Sequence, residues 1–380
     1  MRSSQFIILI FFFLESCVDP LSIKLPPETV RFVVDGLITN DPGPYEVKLS
    51  YTLGFNNTTL KKPPLATGAS VWIYDNFNNS EKLSETSPGV YQTSSVGMRG
   101  QIGRTYYIQI KTKFGREYQS SPQRLSPAGE IEKVSFEFEA QSLKGNKPNE
   151  YVDGVKIIVD SKAVANEQNL MRWRWSTIFK ARTWPELRTT VDPFNPKILH
   201  ATPEPCSGFV RGGTPSCDMV VVGECIRKVA ECSCCECWPY NYNTKSLISH
   251  NRVIDGLEFK GVDLGNIPVG PQEFYEKYYL KIEQLSLSEE VYDFWNLVEA
   301  QQTASGSLFQ PNSAQVRGNI HSITDPNEEV LGIFGVSGIT KKELFLTPEV
   351  VPYRLPPLDS IYHNCSDSFQ NNYKVKPSFW

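Results

Sequence analysis

Apolar side chains recur at every second residue through the first third of the chain, and this alternation limits the fold more than any other feature. Phe32 and Val34 alternate with Val33 and Asp35. Tyr45, Val47, Leu49 and Tyr51 alternate with Glu46, Lys48 and Ser50, and Tyr106, Ile108 and Ile110 with Tyr107, Gln109 and Lys111. A period of two puts one set of side chains on one face of a strand. Val71-Trp72-Ile73-Tyr74 is apolar on both faces and reads as a central strand. Asn40-Asp41-Pro42-Gly43 and Ser87-Pro88-Gly89 supply turns. About seven strands at this spacing predict an immunoglobulin-like or transthyretin-like β-sandwich over residues 27–127. Such modules bind or space other molecules more often than they catalyse, although fold alone does not fix function.

A seam from Ser121-Pro122 to Gly129 opens a larger β-rich domain, residues 128–380. Val134, Phe136 and Phe138 alternate, Val155 to Val159 is an apolar run, and Tyr278, Leu280 and Ile282 alternate again. Val330 to Val336 reads as a further strand. Met171, Trp173 and Trp175 alternate with Arg172, Arg174 and Ser176. Interleaved Arg and Trp can form a base-stacking platform. With no second basic cluster, a half-buried strand with a basic outer face is the better reading. Ser286-Leu287-Ser288-Glu289 has capping-box form, and Leu287, Val291, Phe294, Trp295 and Val298 follow as one apolar stripe. These predict an amphipathic helix over about 287–302. The abundance of aromatics, 17 Tyr and 21 Phe, agrees with a mainly β fold.

Seven of the nine cysteines crowd into residues 206–238: Cys206, Cys217, Cys225, Cys232, Cys234, Cys235 and Cys237. Cys365 stands far downstream and Cys17 far upstream. Without Cys17, eight remain. In an oxidising compartment eight cysteines can form disulfides in 105 ways, so spacing leaves the connectivity open. Parity adds one constraint. Seven clustered cysteines cannot all pair with each other, so complete oxidation within one chain requires Cys365 to bridge to the cluster. The adjacent pair Cys234 and Cys235 needs partners elsewhere, because a bridge between neighbours strains the peptide. Two other readings stay open. Cys-x-Cys and Cys-Cys spacings also gather Cu(I) or Zn(II), although the paired Cys-x2-Cys elements of a zinc finger are absent. Free thiols could serve redox chemistry.

The first residues assign Cys17. Arg2 precedes an apolar run, Phe6-Ile7-Ile8-Leu9-Ile10-Phe11-Phe12-Phe13-Leu14. At about 1.5 Å per helical residue this run is too short for a bilayer core of about 30 Å. It reads as the apolar region of a secretion signal, residues 1–16. Leu14-Glu15-Ser16-Cys17 resembles the lipobox of bacterial lipoproteins, with Glu15 as a departure from the pattern. That resemblance implies that Cys17 carries acyl chains and begins the mature chain, with residues 17–26 as a tether. Asp19 resembles the acidic surface-export signals of some such lipoproteins.

No catalytic motif emerges. His200, His250, His321 and His363 form no His-Glu-x-x-His pattern, and neither a Gly-x-Ser-x-Gly elbow nor a phosphate-binding Gly-x4-Gly-Lys loop is present. Asp325-Pro326-Asn327-Glu328-Glu329 reads as a polar turn, because the alternating ligands of a calcium loop are missing. A net charge of −4, with acids and bases mixed, gives no concentrated basic face for nucleic acid. No cofactor site is expected.

Seven short motifs occur in a characteristic order. They are Cys17-Val18-Asp19-Pro20, Val34-Asp35-Gly36-Leu37-Ile38-Thr39, Gly68-Ala69-Ser70-Val71, Cys234-Cys235-Glu236-Cys237-Trp238, Gly318-Asn319-Ile320, Val330-Leu331-Gly332-Ile333-Phe334, and Lys376-Pro377-Ser378-Phe379-Trp380. Together they resemble the domain of unknown function 4249 family across essentially the whole mature chain. The resemblance implies an outer-membrane lipoprotein, exposed at the cell surface, that works beside a TonB-dependent, Sus-type transporter as a non-enzymatic accessory or binding component. It implies no catalytic residues. A metal or redox role for the cysteine cluster and a surface hydrolase are the alternatives.

Overall fold

In the computed structural model, residues 30–53, 62–145, 147–212, 217–249, 257–304 and 316–380 are described, and the alternating runs form strands. Eight open the chain: β1 (Phe32–Thr39), β2 (Glu46–Tyr51), β3 (Ser70–Asp75), β4 (Ser80–Ser87), β5 (Val90–Gln92), β6 (Thr105–Lys111), β7 (Glu117–Ser120) and β8 (Gln123–Arg124). Val71 and Ile73 of β3 and Tyr106, Ile108 and Ile110 of β6 are buried, while the residues between them face outward. β3 is central, between β4 and β6. β4 turns the corner of the sheet. Its first half pairs with β3 and its second half with β5. One curved sheet therefore folds over a core that includes Phe32, Leu49, Ile73 and Tyr106. This is the expected sandwich, made from a single sheet.

Both edges of that sheet come from far along the chain. Ile320–Ser322 pairs with β7, and Leu331–Ser337 runs parallel to β1. Ile320, Val330, Phe334 and Val336 fill the core. The expected boundary at residue 127 is corrected accordingly: the first unit also needs residues 320–337. Alternation reveals a strand but not the strand it pairs with.

The two edges nearly meet, and Asn319 spans the remaining gap. Its Nδ2 donates to the Phe334 carbonyl at 2.8 Å and its Oδ1 accepts from the Phe334 N–H at 2.9 Å. One side chain thus replaces a rung of backbone pairing. The approach requires glycine on both sides. A Cβ on Gly318 would strike the Gly332 carbonyl, and Gly332 itself has a φ of 92° and lies against the Val34 carbonyl.

The second unit packs two sheets. β9 (Glu130–Lys144) and β10 (Tyr151–Lys162) join Glu258–Pro268 in a three-stranded antiparallel sheet. β11 (Met171–Phe179) lies between Tyr278–Ser286 and Glu236–Tyr242, with Ile339–Leu346 and β12 (Ala181–Arg182) beyond them. Val155, Ile157 and Val159 meet Trp173, Trp175, Leu280 and Ile282 between the sheets. Both buried indoles are satisfied, Trp173 donating to Gln284 Oε1 and Trp175 to the Leu264 carbonyl, each at 2.8 Å. The arginine face of β11 is covered. Arg174 pairs with Glu283, and Arg172 lies 3.4 Å above the Trp295 ring. Burial lowers the Arg172 pKa to about 10.

The helix α1 runs Glu289–Ala304. Leu287 and Val291 pack on Leu170 and Ile333, with Phe294 and Trp295 at the border. The cap differs from the expectation. Ser288, not Ser286, accepts from the Val291 N–H at 3.4 Å. Ser286 ends a strand, and its hydroxyl serves Ser126 and Gly338 instead. No helix among the described residues is long and apolar enough to cross a membrane.

Candidate functional site: the disulfide-clasped insertion

Between β12 and Glu236–Tyr242 the chain builds a satellite from short pieces. Thr189–Val191 pairs with Leu199–Ala201, and Glu224–Lys228 pairs with both Phe209–Arg211 and Met219–Val221. Ala201, Val221 and Ile226 make its small core. Too little apolar surface is buried to hold such a segment, so covalent links carry much of its order. The structure pairs the eight cysteines as Cys206–Cys234, Cys217–Cys225, Cys232–Cys235 and Cys237–Cys365. Cys365 bridges to the cluster, and the neighbours Cys234 and Cys235 take separate partners. Cys17 and His250 lie outside the described residues.

Cys237 and Cys365 are both fully buried, and their bond spans 128 residues. It fastens the C-terminal segment to the second unit. Beyond it, Phe379 stacks on Tyr279 at 4.3 Å and Trp380 meets the edge of Phe345 at 5.7 Å. By contrast, Cys232 and Cys235 are half-buried, and their bond closes a sequence separation of only 3. This is a Cys-x-x-Cys spacing hidden within the denser run Cys232-Ser233-Cys234-Cys235.

Among the described histidines, His200, His321 and His363 share no partner, and one is tightly held. His200 Nδ1 lies 2.8 Å from Glu224 Oε1 and Nε2 lies 2.9 Å from Asp192 Oδ2. Arg211 also pairs with Glu224. The Glu224 and Asp192 carboxylates raise the His200 pKa, and His200 in turn lowers theirs. Both ring nitrogens face carboxylates, and in the protonated ring each donates to one of them. His200 works as a clamp between two hairpins. His363 lies 3.5 Å from Glu204, and His321 is on the outer edge strand of the first unit. The Asp325–Glu329 segment is a turn: Glu328 accepts from Arg116 at 2.7 Å and from Tyr118 at 2.9 Å, which fixes it to β7.

A cleft of about 460 Å³ opens beside the insertion. Arg182, Glu186, Lys228, Glu231 and the Cys232–Cys235 bond form its walls, with Trp238 among the lining residues. The Trp238 indole N–H is buried and finds no acceptor among the described residues. Glu204, Cys206 and Cys234 bring potential metal-ligand atoms within 4.8 Å of one another. Both sulfurs belong to one disulfide, so neither is a thiolate ligand. The cleft offers mixed charge and one aromatic wall, a surface for binding. Sequence reading overlooked it because its residues come from four separated segments.

No curated protein matches this chain. The family model described as "Domain of unknown function (DUF4249)" matches residues 18–343, beginning one residue after Cys17. That match covers most of the chain, and the protein therefore belongs to the DUF4249 family.

Proposed function

We propose that this chain is a lipid-anchored outer-membrane lipoprotein that acts without catalysis, as the binding or accessory component of a TonB-dependent transporter. The observation that carries the reading is the leader. The family match begins at residue 18, so the apolar run precedes the matched domain and Cys17 stands at its border, as a cleaved signal and a lipidated end would. The rest of the molecule supports it. Two rigid sandwiches carry an insertion whose cleft has mixed charge, and no nucleophile–base pair converges on His200 among the described residues. The insertion is the element that would meet the transporter. Gentle solubilisation of membranes should recover the protein bound to a β-barrel partner, and Arg182→Glu with Lys228→Glu should weaken that complex. Recovery as a free monomer under all growth conditions would refute the reading.

One observation favours a second reading. The half-buried Cys232–Cys235 bond borders the cleft at Cys-x-x-Cys spacing, a place for thiol–disulfide exchange with a partner's thiolate. Activity of this kind would be lost in a Cys232→Ala, Cys235→Ala double variant that still folds and still binds its partner.

A further inference from the structure

The chain enters the first unit at one identifiable end. Val30 is the first described residue, and Phe32 stacks on Tyr118 at 4.5 Å. This places the start of β1 beside the start of β7, next to the β6–β7 turn. Register assigns the same end to Tyr51, Ser70, Lys111 and Glu117. Apolar side chains project there into solvent. Phe114, at the turn, is 74% exposed, and Val30, Leu65 and Ile323 are exposed around it. Lys113 folds its ammonium 5.1 Å from the Phe114 ring. Three other cations there are paired with acids, Arg31 with Glu329, Arg116 with Glu328 and Lys111 with Glu117.

An exposed ring beside a long cationic side chain suits a lipid–water boundary, where the ring enters the acyl region and the ammonium reaches the headgroups. The length of chain outside the described residues points to the same occupant. Twelve residues, 18–29, separate Cys17 from Val30, and the fully extended reach from Cys17 to Val30 is about 45 Å. A lipid on Cys17 therefore tethers this end, not the opposite one, within that reach of the bilayer.

The opposite end of the first unit also exposes apolar residues, Phe77, Val96 and Ile102. That end is joined to the second unit. Asn40 accepts from the Ile339 N–H, Asp41 pairs with Lys341, and Ser126 accepts from the Gly338 N–H. Bulk beyond this joint keeps it from lying flat on a surface.

We propose that the end carrying Val30 and Phe114 rests on the lipid bilayer with Phe114 inserted at the interface. The disulfide-clasped insertion is then presented at the far end of the molecule. Tyr278–Ser286 leads from the joint at Ser286 to the Cys237–Cys365 region beside Tyr278, which carries the insertion away from the anchor. This inference rests on the lipid-anchor reading, and its test separates the two.

The test uses the lipidated full chain in phosphatidylcholine vesicles with brominated acyl chains, which quench nearby tryptophan. Wild type, Phe114→Trp and Phe77→Trp are compared, both substitutions lying at exposed turns. The tryptophan added at 114 should lose about half its emission, because interfacial side chains sit roughly 5–10 Å into the boundary. The one added at 77 should lose none. Equal quenching at both positions, or none at 114, overturns the inference while leaving the anchor intact. A lipidated wild type that does not float with vesicles overturns the anchor reading as well.

Discussion

At the scale of single residues, the insertion depends on a charge and on sulfur. His200 is held by Glu224 and Asp192, so its pKa is higher folded than unfolded. The sign follows from linkage. The His200 contribution is complete below its ordinary value of 6.5 and fades as pH rises through the raised folded value. The lowered pKa values of Glu224 and Asp192 act oppositely, and their contribution is lost as pH falls through those values. Comparing Tm against pH for wild type and His200→Gln should show a larger gap just below pH 6.5 than at alkaline pH, the gap closing as pH rises through the raised folded value. A gap independent of pH would show that His200 acts by shape alone. Exposure also ranks the disulfides. Stepwise reduction followed by alkylation and peptide mapping should open Cys217–Cys225, with its exposed Cys217, first, half-buried Cys232–Cys235 next, and buried Cys237–Cys365 last. That last bond closes a loop of 128 residues, for which chain entropy predicts about 4–5 kcal/mol of stabilisation.

At the scale of elements, three motifs that carry the family resemblance meet at one seam. Val34–Thr39 is most of β1, Val330–Phe334 leads into the parallel strand beside it, and Gly318-Asn319-Ile320 brings in the opposite edge. Their glycines permit close backbone approach, and Asn319 supplies the missing rung. Asn319→Ala would leave the Phe334 N–H and carbonyl buried without partners, at a cost of about 2–4 kcal/mol from two unsatisfied groups. Denaturant unfolding measures it. A loss under about 0.5 kcal/mol, the range of ordinary surface changes, would mean that water satisfies the seam. The helix shows how local signals compete. Ser286 and Ser288 both offer hydroxyls near the helix start, and strand pairing claims the first.

At the scale of the whole molecule, the first unit takes its edges from residues 320–337, so it cannot be cut from the second without losing core residues. Phe334 is part of the same packing as Phe32 and Tyr118. A fragment ending at residue 127 should therefore fail to give a cooperative unfolding transition, whereas the full chain should give one. Anchoring belongs to this scale too. Cys17→Ser should leave the fold unchanged and release the protein from membranes, as fractionation and far-ultraviolet circular dichroism would show. A Cys17→Ser protein that stays membrane-bound after signal cleavage would remove the basis for the lipid anchor.

The sequence by itself determined that this protein is mainly β, where most of its long strands lie, and that one helix packs an apolar stripe. These follow from side-chain period, which is local. Parity required Cys365 to reach the cysteine cluster if every thiol was oxidised. Only the tertiary structure decided the partners. It placed Leu331–Ser337 against β1, chose one disulfide pattern among many, and brought Asp192 and Glu224 to His200. Each of these depends on contacts between residues distant in the chain, whose cost is loop closure and whose gain is shared burial, and neither leaves a periodic mark in the sequence.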